Sequence, residues 1–468
     1  MSTMKVRTFP ASEPLKQATG TYRKGELRGI IHINPDRCVG CDTCRKVCPA
    51  DAISGEIGVT HKIDVDRCIN CGQCLTNCPF GAIEQMSQLE LVEKKLKDGK
   101  TTVVGIPAPA VRVAIAEEFG QPPGTLTVGQ LHAALKKAGF KIYDNNYAAD
   151  QTILEEGTEL VGRILYNIFG LKKVTLKLWG KEFTLNLEEL KPGPLPQFTS
   201  CCPAWVRFAE LYYPDILPHL SSARSPLLMA GPTAKTYGAL KVWKVDPRDV
   251  FTVGIMPCTA KIFEASRPEF TAAQHYLEEK GIIPHGTEMR DVDAVITTRE
   301  LAQLFRDFGI DLLSMPKDSE DKPQEFEQYS GGATIFGVSG GVMEAAVRFA
   351  FAVLSGQEPS AVDKTWDFEA VRGYTNAVAA ATIRVPLAPE FQKALGADHF
   401  DLKVATVNGI GTHASHLKPI LREVAEGKSE FHFIEVMTCP GGCINGGGQP
   451  VNPMGTSWID PLLPLVRV

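Results

Sequence analysis

Two segments of the chain, CVGCDTCRKVCP from Cys38 and CINCGQCLTNCP from Cys68, repeat one spacing: cysteines separated by two, two and three residues, then proline. No other feature restricts the fold as much. Thiols packed this densely along a backbone must converge on a common centre, and a second copy thirty residues later implies a second centre. Thiolate ligands select soft ions and iron-sulfur clusters. A zinc site usually draws its four ligands from two separated CxxC pairs. Here three closely spaced cysteines and a Cys-Pro recur twice, which favours iron and sulfide over zinc.

The CxxCxxCxxxCP run is the bacterial ferredoxin signature, in which the fourth cysteine of each run ligates the other run's cluster. Cys38, Cys41, Cys44 and Cys78 are therefore expected to hold one [4Fe-4S] cluster, and Cys68, Cys71, Cys74 and Cys48 a second. Residues 30–88 read as an α+β ferredoxin-like domain. Residues 1–29, polar and punctuated by Pro10 and Pro14, read as an N-terminal arm on the surface.

The remaining 89–468 is long enough for a large core. Leu89 to Lys100 carries a helical apolar period with Gly99 as a stop signal, giving a linker helix. Thr102 to Ile106 reads as a strand, Leu126 to Ala138 as a helix and Lys141 to Tyr143 as a strand, the alternation of an α/β domain. VFTVGIMPC, DAVITT and ATIFGVSGG each read as an apolar strand running into a polar or glycine-rich loop, and functional groups of open α/β sheets collect at such strand ends. VTLKLWGKEFTLNL, Val174 to Leu187, alternates apolar and polar residues about Trp-Gly-Lys and reads as a hairpin inserted near 172–190.

Hydrophobic residues make up 44% of the chain, charged residues 22%, and the net charge is -5, which excludes disorder and argues against a nucleic-acid partner. No run of about 18 apolar residues is long enough for a membrane span, and the N-terminus has no signal-peptide core. A cytoplasmic location is expected, with export alongside a signal-bearing partner subunit as the alternative. Each of the thirteen cysteines lies in a motif, so all are read as reduced.

The five cysteines outside the repeat occupy three loops: FTSCCPAW with Cys201 and Cys202, IMPCTAKIFE with Cys258, and EVMTCPGGCINGGGQP with Cys439 and Cys443. In the last, glycines let main-chain N–H groups approach an inorganic sulfur closely. These loops, in this order behind a two-cluster module, closely resemble the [FeFe]-hydrogenases over roughly Ile30 to Pro450. The resemblance implies an α/β hydrogenase catalytic domain that holds an H-cluster, a [4Fe-4S] cluster bridged to a two-iron unit with CO, cyanide and an azadithiolate. Cys202, Cys258, Cys439 and Cys443 would be the cubane's ligands, Cys443 bridging. Cys201, surplus to four, would pass protons to the azadithiolate amine. Lys261 would hydrogen-bond a cyanide. Ala108, Pro109, Met256 and Met437 would wall the pocket, and Glu264 would support Lys261 or that wall.

Glu156, Glu159 and Arg163 share one face of a helix by spacing. The resemblance implies a proton relay through Cys201, Glu156, Ser221 and Glu159. Ala110 and Leu227 depart from the family, some members having a serine that bonds a cyanide at the first and a glutamine at the second, so tuning of the site is altered.

The implied function is reversible oxidation of H2 to protons and electrons, with the ferredoxin-type clusters wiring the site to the surface. A hydrogen-sensing relative and a non-catalytic iron-sulfur assembly protein are the alternatives, disfavoured by Cys201 and by the intact TSCCP and MPCxxK loops. The expected partners are a small or iron-sulfur subunit and a redox carrier such as ferredoxin, cytochrome or a formate dehydrogenase module. Two-subunit members end soon after the last cysteine loop, as this sequence does with VNPMGTSWIDPLLPLVRV.

Overall fold

The computed structural model describes residues 5–6, 23–178, 181–317, 325–357 and 377–451. Residues 1–4 and 7–22 of the arm, the turn of the hairpin and the stretch after Val451 lie outside them.

The two cysteine runs fold as near copies of each other. Each places a one-turn helix, Thr43–Lys46 or Gln73–Thr76, after a residue in the left-handed region, Asp42 at φ 67° or Gly72 at φ 72°. That turn swings the second and third cysteines of each run to one side. The halves are stitched by strand Ile31–Ile33 against Ile83–Gln85 and by Ile53–Ser54 against Lys62–Ile63, both antiparallel. The two ends of the module therefore pair with each other, as the ligand crossover requires.

Two sheets follow. A four-stranded parallel sheet runs in the order Ala294–Thr297, Val250–Met256, Thr102–Pro107, Lys141–Ile142. The two inner strands, TVVGIP and VFTVGIM, are apolar almost throughout because both faces are covered. The second sheet, five-stranded, runs Lys5–Val6, Val378–Pro386, His399–Asn408, Phe433–Met437, Gln197–Phe198. Its last three strands are parallel. Two residues of the arm, Lys5 and Val6, thus form an edge strand, an addition to the surface arm expected from sequence.

The helix Asn145–Asn167 is capped by Asp144, whose carboxylate accepts from Asn146 N at 2.9 Å. Its buried face packs with helix Gly341–Ser355 against Val404 and Phe433 of the second sheet. The hairpin is present as Lys173–Leu178 and Lys181–Asn186, paired antiparallel, and its Val174 and Leu176 join that same core. A larger core is continuous from Ile31 and Ile69 of the cluster module to Trp205, Ile255 and Val436. The module is packed onto the catalytic region over shared apolar surface.

One expected strand is wrong. ATIFGVSGG forms a helical turn, Gly331–Thr334, continued by a 3-10 turn at Ile335–Gly337. Ser330 starts the turn by accepting from Ala333 N, a side-chain cap that outweighs the strand propensity of Ile335 and Phe336.

Candidate active site

Four strands from the two sheets end at one place. Thr102–Pro107 delivers Ala108 and Pro109, Val250–Met256 delivers Cys258, Phe433–Met437 delivers Cys439 and Cys443, and Gln197–Phe198 delivers Cys201 and Cys202. All these residues line a single cavity, together with Met256, Met437 and Lys261. Every residue expected in the pocket wall is therefore there. Ala110 and Leu227 also line it, and Phe336 enters from the turn misread as a strand.

Thr199 fixes the mouth of the cysteine loop: its hydroxyl accepts from Val436 N at 3.2 Å and its carbonyl accepts from Trp205 Nε1 at 3.0 Å. Cys202 Sγ lies 3.4 Å from Thr438 Oγ1. Lys261 Nζ donates to Glu264 Oε2 at 2.7 Å and to the Cys201 carbonyl at 3.2 Å. Glu264 thus supports Lys261, and the buried pair keeps a cation at the cavity wall.

The donor set suits an iron-sulfur cubane. Burial pushes the thiols of Cys258, Cys439 and Cys443 up, and the mutual proximity of these cysteines and Cys202 pushes them further. Thiolates gathered in a dry cavity need a cationic core to hold them ionised.

In the module, Cys44 feels Cys41, Cys78 and Cys38, and Cys71 feels Cys48 and Cys68. Cys74 feels Cys71, Cys68, Cys48 and, least, Cys44. Cys48 thus lies with the second run and Cys78 with the first, the placement that the expected crossed sets need. Cys38, Cys41, Cys44 and Cys78 line a separate cavity.

Behind Cys201 lies a line of acids. Glu156 is buried, its Oε1 has no hydrogen-bond partner, and burial first, then the Glu159 carboxylate, pushes it up to about 8. The Ser221 hydroxyl bears on Glu156 and donates to Glu159 Oε2 at 2.8 Å. Glu159 reaches the surface, where it accepts from Ser222 N at 2.8 Å. Arg163 donates to Glu159 Oε1 at 2.6 Å and to the carbonyls of Pro194, His219 and Leu220, so it also fixes the loop that carries Ser221.

Sequence reasoning passed over Glu435, a lone acid in the apolar strand FIEVM. It is buried against the start of helix Gly341–Ser355, accepting from Gly340 N at 2.6 Å and Met343 N at 2.7 Å, and burial raises it to about 7. An acid at an inward position of a core strand was the available signal. Asn145 in the cavity wall gave none, because Asp-Asn-Asn reads as a helix start.

Residues 101–447 match the family described as iron only hydrogenase large subunit, C-terminal domain, and residues 30–79 match the 4Fe-4S dicluster domain. The chain belongs to the iron-only, or [FeFe]-, hydrogenases. Its relatives include the periplasmic [Fe] hydrogenase large subunit of Nitratidesulfovibrio vulgaris, 46% identical over 91% of this chain and 87% of that protein. Iron hydrogenase 1 of Clostridium pasteurianum is 39% identical over 81% of this chain and 55% of that longer protein. Solved structures of HydA1 from Chlamydomonas reinhardtii superpose with a TM-score of 0.61 at 31% identity, covering 82% of this chain and 88% of theirs. Cytosolic iron-sulfur assembly component 3 of Bos taurus is also related, at 30% identity over 75% of this chain and 62% of its own length. The hydrogenase matches are the stronger in identity and in span, so the enzymatic reading stands over the assembly-protein alternative. This [FeFe]-hydrogenase oxidises H2 reversibly to protons and electrons at an H-cluster, with additional [4Fe-4S] clusters carrying the electrons to a redox partner. No described helix is long and apolar enough to cross a membrane.

Proposed function

We propose that Cys202, Cys258, Cys439 and Cys443 hold the cubane of the H-cluster, with Cys443 shared with the two-iron unit. The observation that carries this is the convergence of four thiols from three loops on one apolar cavity that a fifth thiol, Cys201, also lines. When bound, the H-cluster supplies the heterolytic cleavage of H2. The chain's residues do the rest. Met256, Met437, Ala108 and Pro109 keep water from the cavity, and the Lys261 ammonium, fixed by Glu264, offers a donor to an anionic ligand. Cys201 holds a proton at Sγ. Glu156, raised to about 8, is close enough to neutrality to accept that proton and release it. Ser221 passes it by hydroxyl rotation to Glu159, which meets solvent beside Ser222.

Electrons take the opposite side. Cys71 lies near Cys439, which supports a wire from the cubane to the Cys48, Cys68, Cys71, Cys74 cluster. From there it continues to the Cys38, Cys41, Cys44, Cys78 cluster, whose Cys41 is exposed. We draw the wire's module as residues 30–88 and the catalytic unit as 89–468, with residues 1–29 an arm.

The deciding experiment is infrared spectroscopy of the matured protein, where CO and CN stretches fall clear of protein absorption. Their absence from a fully matured sample would reject the reading.

The chain also works with another subunit, either a small one or an iron-sulfur one leading to a carrier or a formate dehydrogenase module. Supporting this is an open groove along the 145–167 helix, where Leu154 and Leu190 are exposed and Glu159 lies in the wall. A fully active monomer by mass in solution would rule it out. We assign the enzyme to the cytoplasm, and cell fractionation tests that. Recovery from the periplasm would align it instead with the arrangement named for the N. vulgaris relative.

A further inference from the structure

The cavity wall is largely apolar, and Asn145 stands among its few polar side chains, with Lys261 and Thr438. Asn145 is 5% exposed, lines the cavity from the first turn of the 145–167 helix, and its Oδ1 has no hydrogen-bond partner in the protein. A buried amide left unpartnered costs stability, so such groups in folded proteins are usually satisfied by something. Its neighbours on the cavity wall, Ala110, Ala149, Pro226, Leu227 and Phe336, offer no side-chain hydrogen bond. What remains is the contents of the cavity.

We propose that Asn145 is a positioning residue for the two-iron unit, its side-chain amide donating a hydrogen bond to a cyanide nitrogen. This rests on the H-cluster reading above. The two ends of an amide have nearly the same shape, so a half-turn of the side chain puts the NH2 group where the unpartnered oxygen lies. Of the ligands the unit carries, anionic cyanide is the best acceptor, and charge-assisted bonds are the strong ones. CO oxygen accepts poorly. The assignment also accounts for Ala110 and Leu227, which supply no polar contact where other members have a serine and a glutamine. Asn145 provides a polar contact from a different element. Spacing reinforces this: Asn145, Ala149, Thr152 and Glu156 follow one another at four, three and four residues, so the helix stripe that carries the relay acid also carries the amide.

The test compares wild type with Asn145→Leu and Asn145→Thr, each as unmatured apoprotein and as matured enzyme. In the matured Leu variant one CN band shifts to lower wavenumber, because a donor at nitrogen stiffens the bond, while the CO bands move less. Thr keeps a shorter donor, so its CN band falls between those of Leu and wild type. In the apoprotein, Asn145→Leu unfolds at the same or a higher temperature than wild type, since the unpartnered amide oxygen is gone. CN bands at wild-type positions in the Thr variant, or in a Leu variant that loads, overturn the proposal. A lower unfolding temperature for the Leu apoprotein also overturns it, by showing that the protein itself satisfies the amide. Wild-type enzyme without CO and CN bands would instead reject the underlying H-cluster reading, so the two failures are distinct.

Discussion

The side-chain amide of Gln73 donates a hydrogen bond to Cys439 Sγ at 3.1 Å, so a residue inside the second cysteine run touches a sulfur of the catalytic loop. The same amide reaches the Asn445 carbonyl at 3.3 Å, and Thr259 Oγ1, next to Cys258, donates to the Asn70 carbonyl at 2.7 Å. The contact between wire and catalytic site is therefore made by the cysteine loops themselves. An N–H donor on a ligand sulfur favours the more negative, reduced cluster and so raises its potential. Gln73→Leu is expected to lower the midpoint potential of the catalytic cubane by an amount on the order of tens of millivolts. A redox titration followed by electron paramagnetic resonance reads this directly, and an unchanged or raised potential would contradict it.

Cys201 lines the same cavity as the four thiols proposed as ligands. Cys201→Ala is expected to reduce turnover by at least about 10²-fold, the usual scale for losing a positioned proton-transfer group. Its CO and CN bands should stay. Loss of the bands would make Cys201 a ligand and break the division between wire, cluster and relay.

These roles were unequally legible in the sequence. The crossed ligand sets were readable because a cluster imposes its spacing on a short segment, and the strands Val250–Met256 and Thr102–Pro107 because their apolar runs are unbroken. The meeting of the cysteine loops in one cavity was implied by resemblance and not by any periodicity, since it depends on two sheets ending face to face. ATIFGVSGG was misread because a serine cap and tertiary packing overrode its strand propensity. Gln73, Asn145 and Glu435 act through distant contacts that local sequence does not encode.

Glu156 gives a pH dependence whose sign can be derived. Its carboxyl is held up to about 8 by burial and by Glu159, against an ordinary value of 4.5. Between about 4.5 and 8 the folded protein keeps a proton that the unfolded chain releases, so stability is fully present below that window and falls as pH rises through it. The slope from this one group is at most about 1.4 kcal/mol per pH unit. Glu156→Gln removes it, so the variant gains on wild type as pH rises, while Glu435 keeps a slope of the same sign in both proteins. Denaturant midpoints measured near the two ends of the window check this. A variant that instead loses ground with rising pH would show that Glu156 is ionised in the native state.

Wire and site also approach each other backbone to backbone. A Cβ on Gly447 would lie 2.5 Å from the Cys71 carbonyl oxygen and 2.6 Å from Gly72 Cα, and neither obstacle is a side chain that can rotate away. On the other side, a Cβ on Gly72 would meet Thr259 Oγ1 at 2.6 Å, in a residue already at φ 72°. Gly447→Ala must therefore separate the two loops, at a stability cost of about 1–3 kcal/mol typical of overpacking. Cys443 and Cys439 lie on the near side of that glycine, so the catalytic cluster should still assemble and the CO and CN bands should be preserved. Electron tunnelling weakens steeply with separation, so the rate with an acceptor that docks at the Cys41 end should fall. A small dye able to reach the catalytic cluster directly should lose less. Equal rates for both acceptors, with an unfolding temperature like that of wild type, would mean that this contact is not the route by which electrons leave.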